Sequence, residues 1–252
     1  TTLFIVVARS LWRTPRWRLA IVGLVLLTVE IAFFSSNMAK IADGAWLSLA
    51  VGLAVAAVMV TWRRGAAIVT RNRTEAEGPL DQFLERLRFA RPPILRLPGT
   101  AIYVAPSSTT TPLAMRTLVA HNRALHERVL IVSVAPVGMP HVDRGDRFAA
   151  EIVGSGLFKV THLTIRVGYR DPWRVPDALV LARKEGFLDR NLDLERASYF
   201  VSRMTIVPTS AAGMAPWRKR IFVAMARNAA SPVEQFGLPF ARTAMTTSTI
   251  PV

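Results

Sequence analysis

The chain contains the apolar stretch LAIVGLVLLTVEIAFF at Leu19–Phe34 and a second one, WLSLAVGLAVAAVMVTW, at Trp46–Trp62. An α-helix rises about 1.5 Å per residue and the hydrocarbon core of a bilayer is about 30 Å thick, so about 20 residues cross it. Each stretch reaches that length once its flanking aromatic and small residues are counted. Because a backbone in lipid must satisfy its own hydrogen bonds, each stretch must be helical. The sequence therefore predicts a transmembrane helical hairpin over residues 17–62.

Basic residues flank this hairpin on both of its outer sides. The connecting loop, Ser35–Asp43, carries only Lys40 and Asp43 as charges. The flanking arginines are Arg9, Arg13, Arg16 and Arg18 before the first stretch, and Arg63, Arg64, Arg71 and Arg73 after the second. The positive-inside rule then predicts that residues after about 63 are cytoplasmic. Tryptophans occupy the expected interfacial positions, namely Trp12, Trp17, Trp46 and Trp62.

The net charge of +15 is concentrated near the predicted membrane segments. Residues 1–74 carry nine basic residues against two acidic ones, and the other 178 residues carry +8. This distribution suits a domain next to anionic lipid headgroups. No nucleic-acid-binding module is recognisable, so we expect no nucleic-acid partner. The chain has no cysteine, which excludes disulfides, thiolate catalysis and cysteine-ligated metals.

The first residues, Thr1–Ala8 (TTLFIVVA), are apolar but too few to span a bilayer. The positive charge follows this run rather than preceding it, which is not the order of a signal peptide. We interpret residues 1–10 as the end of a preceding transmembrane helix. We therefore expect the chain to be the C-terminal portion of a longer protein.

Residues 63–96 are predicted to form a basic juxtamembrane linker with a short amphipathic helix over Pro79–Phe89. Alternating strand and helix patterns then predict a cytoplasmic α/β domain with a mixed sheet over residues 97–252. A parallel, right-handed crossover is expected between the first two strands, and the C-terminal tail is expected to be irregular. The predicted strands are Thr100–Val104, Val129–Val134, Phe148–Val153, Phe158–Val167 and Ser198–Ile206, and the predicted helices are Thr111–Leu125, Pro176–Glu185 and Pro216–Ala229.

Glu30 is the strongest candidate site residue, because an ionisable side chain inside a membrane span usually has a functional or paired role. It lies near the predicted outer end of its span, so structural pairing is favoured over proton handling, and both interpretations stay open. The histidines lack the spacing of a helical zinc site, so no metal is expected; they are His121, His126, His141 and His162. His121 is expected to pack on an apolar helix face. No catalytic constellation is recognisable, and no cofactor is expected.

Two further segments have alternative interpretations. Gly154-Ser155-Gly156 lacks a third glycine, a P-loop lysine and a following helix, so a hairpin turn is favoured over a phosphate-binding loop. The helix from Pro216 carries Trp217, Ile221 and Met225 at four-residue spacing beside several basic residues. It is either an interfacial helix on the inner leaflet or a core helix with a solvated basic face.

Several separate motifs, in order, resemble the bacterial KUP/HAK/KT potassium uptake permeases over almost the whole chain. They are FFSSNMAKIADGAWLSLAVG at 33–52, TWRRG at 61–65, LPGTAIYV at 97–104, HNRALHERVLIVSV at 121–134 and RNAASPVEQFGLP at 227–239. The chain departs from the family's pattern in two places. Ala45 stands where the family usually has the second glycine of Gly-Gly-Trp, and the ending TAMTTSTIPV lacks an acidic, glycine-containing finish.

The resemblance implies a K⁺:H⁺ symporter of the cell inner membrane, with this chain supplying the last two helices and the cytoplasmic C-terminal domain. It implies potassium ion, the proton and the lipid bilayer as partners, and a homodimer formed through the cytoplasmic domain. The potassium ligands of such folds would lie upstream of Thr1, so no ion-binding residue is expected in this chain. The alternative is that the domain is a regulatory or dimerisation module that senses an adenine nucleotide. A membrane-anchored enzyme is disfavoured, since no catalytic constellation is recognisable.

Overall fold

The computed structural model describes residues 2–10, 15–38, 41, 44, 46–107, 109–171, 174–209, 213–227 and 231–252. The chain divides into two compact units, Thr1–Val60 and Thr61–Val252. Some sequence features discussed above lie outside the described residues, namely those at Thr1, Trp12, Arg13, Lys40, Asp43, Ala45 and Ala229.

The first unit consists of apolar helices: α1 (Thr2–Ser10), α2 (Arg16–Met38) and the beginning of α3 (Trp46–Glu77). Helices α2 and α3 are long and apolar enough to cross a membrane, with mean hydropathies of 2.2 and 1.6. Helix α1 packs against α2, where the Ile5 side chain lies 3.0 Å from the position that a Cβ of Gly23 would occupy. The helical character predicted for both apolar stretches is confirmed.

Helix α3 does not end where its apolar stretch ends. It continues without interruption past Trp62 to Glu77, so the first part of the predicted linker, residues 63–77, is helical. Thr61, Gly65 and Val69 on this extension are buried in the second unit. The expected amphipathic helix is confirmed as α4 (Leu80–Arg88), whose apolar residues are buried.

The second unit contains a six-stranded mixed sheet. Its strands are β1 (Leu95–Ala105), β2 (Ala124–Val137), β3 (Phe148–Val153), β4 (Val160–Gly168), β5 (Ser198–Val207) and β6 (Thr243–Pro251). The remaining helices are α5 (Leu113–Asn122), α6 (Arg144–Arg147), α7 (Val175–Lys184), α8 (Pro216–Arg227) and α9 (Pro232–Gln235). The strand order is β3-β4-β2-β1-β5-β6, and β3 is antiparallel to its neighbour while all other neighbours pair in parallel.

The central strands bury both of their faces, as near-continuous apolar runs in a parallel sheet do. Alternate residues of β1 enter different cores, because successive side chains of a strand point to opposite faces. Ile102 packs with α7 residues such as Leu179, whereas Tyr103 packs with α4 and α5 residues such as Leu84 and Met115. The sheet therefore lies between two layers of helices.

The C-terminal tail, expected to be irregular, is strand β6. It pairs in parallel with β5 from Tyr199↔Thr243 to Val207↔Pro251. The prediction was wrong because β6 is an edge strand: most of its residues are threonine or serine and only Ile250 is buried, so the apolar alternation of a half-buried strand is missing.

Candidate functional site

The order of the parallel strands defines a topological switch point. From β1 the chain proceeds to β2 and β4 on one side, then returns to β5 and β6 on the other side of β1. In open α/β sheets, ligands bind in the crevice outside the carboxyl ends of the strands where the order reverses. Here that position lies beyond Ala105 at the end of β1, next to Val201 and Ser202 of β5.

A cleft of about 940 Å³ occupies this position, within the second unit. Its walls come from the carboxyl ends of β1, β2, β4 and β5, from the α3 extension and from α8. The volume lies in the range of about 300–1,000 Å³ typical of small-molecule sites. The lining combines apolar side chains such as Val104 and Val134 with Ser202 and Gln235. Its charged members are three arginines, Arg73, Arg203 and Arg227, and one carboxylate, Asp171.

A buried polar cluster fixes the α3 extension at the cleft. Arg73 Nε donates to Glu77 Oε1 at 2.7 Å, and Thr110 Oγ1 donates to Glu77 Oε2 at 2.5 Å. The Glu77 side chain is only 1% exposed. Arg116 Nη1 donates to the backbone oxygen of the same glutamate at 2.8 Å. A buried carboxylate needs such partners, so this cluster joins α3 to the segment before α5.

Asp171 is the acceptor of several hydrogen bonds at the end of β4. His141 Nδ1 lies 2.7 Å from Oδ1, and the backbone nitrogens of Val142 and Gly168 each lie 3.1 Å from Oδ2. Arg147 Nη2 lies 3.4 Å from Oδ2. The hydrogen bond with His141, then those from the backbone, and the charge of Arg147 together lower the pKa of Asp171 to about 2. This carboxylate is therefore ionised at neutral pH. Its hydrogen bonds with His141 and Val142 hold the segment between β2 and α6 against the end of β4.

Ser133, His162 and Glu151 form a line across β2, β4 and β3. His162 Nε2 lies 3.0 Å from Ser133 Oγ, and its Nδ1 lies 3.3 Å from Glu151 Oε1 without good hydrogen-bond geometry. The order resembles a nucleophile, base and acid, but Ser133 and His162 are buried inside the sheet. Since a substrate cannot reach the hydroxyl, the arrangement is structural. Burial lowers the pKa of His162, partly offset by the charge of Glu151.

The structure separates the residues that the sequence singled out. Glu30 lies within α2 with an exposed side chain, and its role stays a prediction. His121 is exposed at the end of α5, so the expectation that it packs on an apolar face was wrong. The buried side of α5 carries Met115 and Val119 instead. Among the described residues, no group of three or more histidine, aspartate or glutamate side chains could hold a metal ion.

Gly154-Ser155-Gly156 lies between β3 and β4, which are antiparallel neighbours, so the favoured hairpin turn is confirmed. Gly154 has φ +82°, and a Cβ there would lie 2.5 Å from the Phe158 carbonyl oxygen. The turn is at the amino end of β4, whereas the cleft is at the carboxyl ends of the strands. Sequence reasoning missed Glu77 and Asp171; the i, i+4 spacing of Arg73 and Glu77 was the one available signal for the former.

Two models of one protein family match the chain, one after the other. The K⁺ potassium transporter integral membrane domain matches residues 1–67, and the K⁺ potassium transporter C-terminal domain matches residues 98–250. The chain belongs to the K⁺ potassium transporter family. The two apolar helices are thus part of its membrane domain, and the sheet with its cleft is the C-terminal domain. This is a family of transporters, not of enzymes.

Curated relatives of the potassium transporter family match the whole chain. A probable potassium transport system protein Kup from Rhodococcus jostii (strain RHA1) is 40% identical over 255 residues, which cover 100% of this chain and 38% of the relative. The corresponding protein of Cutibacterium acnes is 37% identical over 96% of this chain and 37% of its own length. A Kup 1 protein of Paramagnetospirillum magneticum is 34% identical over the same two shares. No solved structure matches the chain.

Proposed function

We propose that these 252 residues form part of a potassium transporter of the cell inner membrane that works by K⁺:H⁺ symport. The observation that carries the proposal is the ordered match of both family domains, membrane part first and C-terminal part second. The chain spans 38% or less of the curated relatives described above. Its proposed share is the end of a helix at 1–10, a hairpin at 17–62, a linking region at 63–96 and the cytoplasmic domain at 97–252.

Uptake measurements in a bacterial strain lacking its own potassium uptake systems would test this proposal. We expect a protein of the relatives' full length that ends in this sequence to take up rubidium, with protons entering alongside. Rubidium uptake without proton entry would retain potassium transport and remove symport. No uptake by a correctly inserted protein would contradict the proposal as a whole.

We also propose that the potassium ligands are not among these residues, because broken helices near the bilayer midplane usually supply them. Helices α2 and α3 are continuous over their apolar parts. Cells that express only the 252-residue chain should therefore show no rubidium uptake. Uptake by those cells would contradict this.

Glu30→Gln in the full-length protein separates the two roles of that residue. Proton handling predicts a changed pH dependence of uptake, whereas structural pairing predicts a lower protein level with an unchanged pH dependence.

A second function is proposed for the cleft at the switch point, namely regulation by an adenine nucleotide. Three arginines and one carboxylate line it. Arg73 is paired with Glu77 and the carboxylate has His141 and Arg147 as partners, so the charges of Arg203 and Arg227 remain. Such a lining favours an anion, and the apolar wall suits a base. Calorimetry on the purified chain with ATP, ADP and AMP would test it. We expect heat with at least one nucleotide that is lost in R203Q/R227Q and kept in R190Q/R196Q, which removes two exposed arginines elsewhere. Absence of heat with every nucleotide would end the sensing proposal.

The C-terminal domain is further proposed to form a homodimer. Strands β3 and β6 are the edges of the sheet, and edges with unpaired backbone groups are suited to pairing. Light scattering coupled to size-exclusion chromatography would give the mass of the chain in detergent. A monomer at all accessible concentrations would remove this proposal without affecting transport.

A further inference from the structure

The apolar part of α3 has a defined end. Trp62 closes the stretch of apolar residues and is followed at once by Arg63 and Arg64, both exposed. A tryptophan followed by arginines is typical of the interface between the hydrocarbon core and the headgroups. The integral membrane domain of the family ends close by, at residue 67. Residues 61–65 of α3 are therefore at the level of the lipid headgroups.

Helix α8 is attached to α3 at this same level. Arg218 Nε donates to Thr61 Oγ1 at 3.0 Å, and the rings of Trp62 and Phe222 lie 5.4 Å apart between centroids. Phe222 rests on Gly65, where a Cβ would overlap its ring. All of these contacts are inside the second unit. The first turns of α8 are thus held beside the headgroup region.

The basic run at the start of α8 divides into two groups. Arg218 is engaged with Thr61, and Lys219 is 4% exposed with its Nζ donating to the Thr209 carbonyl oxygen at 2.7 Å. Trp217 is 58% exposed and Arg220 is also exposed. Residues three apart are neighbours on a helix, so these two share the outer face of α8. In the part of the chain that the structure describes, Arg63, Arg64 and Arg220 form no ion pair with a carboxylate.

We propose that Trp217 and Arg220 of α8, with Arg63 and Arg64 of α3, form a binding surface for the headgroups of anionic phospholipids. A guanidinium can donate two parallel hydrogen bonds to a phosphate. An indole places its ring among the acyl chains and its N–H at the headgroups. Arg63, Arg64 and Arg220 are not neutralised by a carboxylate among the described residues, and the bilayer that α3 crosses has its phosphates at the same level. The proposal rests on α3 being a membrane span and not on potassium being the transported ion.

Native mass spectrometry of the 252-residue chain in detergent, mixed with equal amounts of phosphatidylglycerol and phosphatidylcholine, tests this surface. We expect the wild type to retain phosphatidylglycerol preferentially. The variant W217S/R220Q should lower that preference at least about threefold while keeping Arg63 and Arg64. The matched control F240S/R190Q also removes one exposed aromatic residue and one exposed arginine, and it should keep the preference.

The outcomes separate this surface from its alternatives. Wild-type selectivity in W217S/R220Q would overturn the role of α8 and leave the α3 arginines as general topology charge. An equal loss of both lipids would indicate apolar adhesion without headgroup recognition and would also overturn the proposal. Inorganic phosphate that displaces phosphatidylglycerol at millimolar concentration would identify a soluble-anion site instead. R220Q alone, with Trp217 kept, should lose part of the preference and guards against misfolding of the double variant.

Discussion

Glu75 and Glu77 make the same kind of ion pair on α3 in different surroundings. Each pairs with the arginine four residues earlier, but the Arg71–Glu75 side chains are 81% and 63% exposed and Glu77 is 1% exposed. Removing one partner of a buried pair costs about 3–5 kcal/mol, and exposed pairs contribute about 0–1 kcal/mol. We expect E77A to lower the free energy of unfolding by about 3 kcal/mol and E75A by less than about 1 kcal/mol. Denaturant titration of the purified chain would measure both, and equal effects would contradict the buried cluster.

His162 should make the stability of the second unit depend on pH. Burial lowers its pKa below the ordinary value of 6.5, so the unfolded chain binds the proton more readily than the folded chain. The stability that the neutral imidazole contributes is present above about pH 6.5 and is lost as the pH falls toward the folded-state pKa. We expect the free energy of unfolding to decrease between about pH 7 and 5, with a smaller decrease in H162N. A slope that persists unchanged in H162N would contradict this, and H121Q controls for loss of an exposed histidine.

The contact between α3 and α8 depends on the absence of a side chain at Gly65. A Cβ there would overlap the Phe222 ring, whereas a Cβ at Gly52 of the same helix meets nothing within 4 Å. Overpacking typically costs about 1–3 kcal/mol, and alanine is favoured over glycine inside a helix. We expect G65A to lower the unfolding temperature and G52A to leave it unchanged or slightly raised. The loss in G65A/F222L should be less than additive, since both act on one contact. A neutral G65A would show that α8 is not seated there.

Most elements could be predicted from the sequence, and the failures have physical reasons. The apolar spans and the buried central strands can be recognised from their long or continuous apolar runs. Strand β6 was not predicted, because an edge strand buries few side chains and therefore needs few apolar residues. The extension of α3 escaped because Arg63 and Arg64 suggested a boundary, while the small and apolar residues after them continue the helix.

The cleft, unlike the elements, could not be read from local patterns. Arg73, Asp171, Arg203 and Arg227 come from four distant parts of the chain, and only the strand order brings them together at one edge of the sheet. That order follows from pairing between strands that are distant in the sequence, and local hydrophobic periodicity contains no information on such pairing. The motifs resembling a known family predicted the family correctly, but they contained neither Glu77 nor Asp171. Family membership and site geometry therefore came from different information.

The orientation of the whole molecule in the membrane is the remaining prediction from charge. The positive-inside rule puts the loop after α2 outside and the α/β domain in the cytoplasm. These 252 residues contain no cysteine, so single cysteines introduced here can be labelled cleanly once any cysteine elsewhere in the full-length protein is replaced. In intact cells expressing the full-length protein, a membrane-impermeant maleimide should label S36C but not R190C, and R190C should react only after permeabilisation. Labelling of R190C in intact cells would reverse the topology. It would also place the cleft at the switch point and the proposed lipid surface of α8 outside the cell, where a cytoplasmic nucleotide could not reach the cleft.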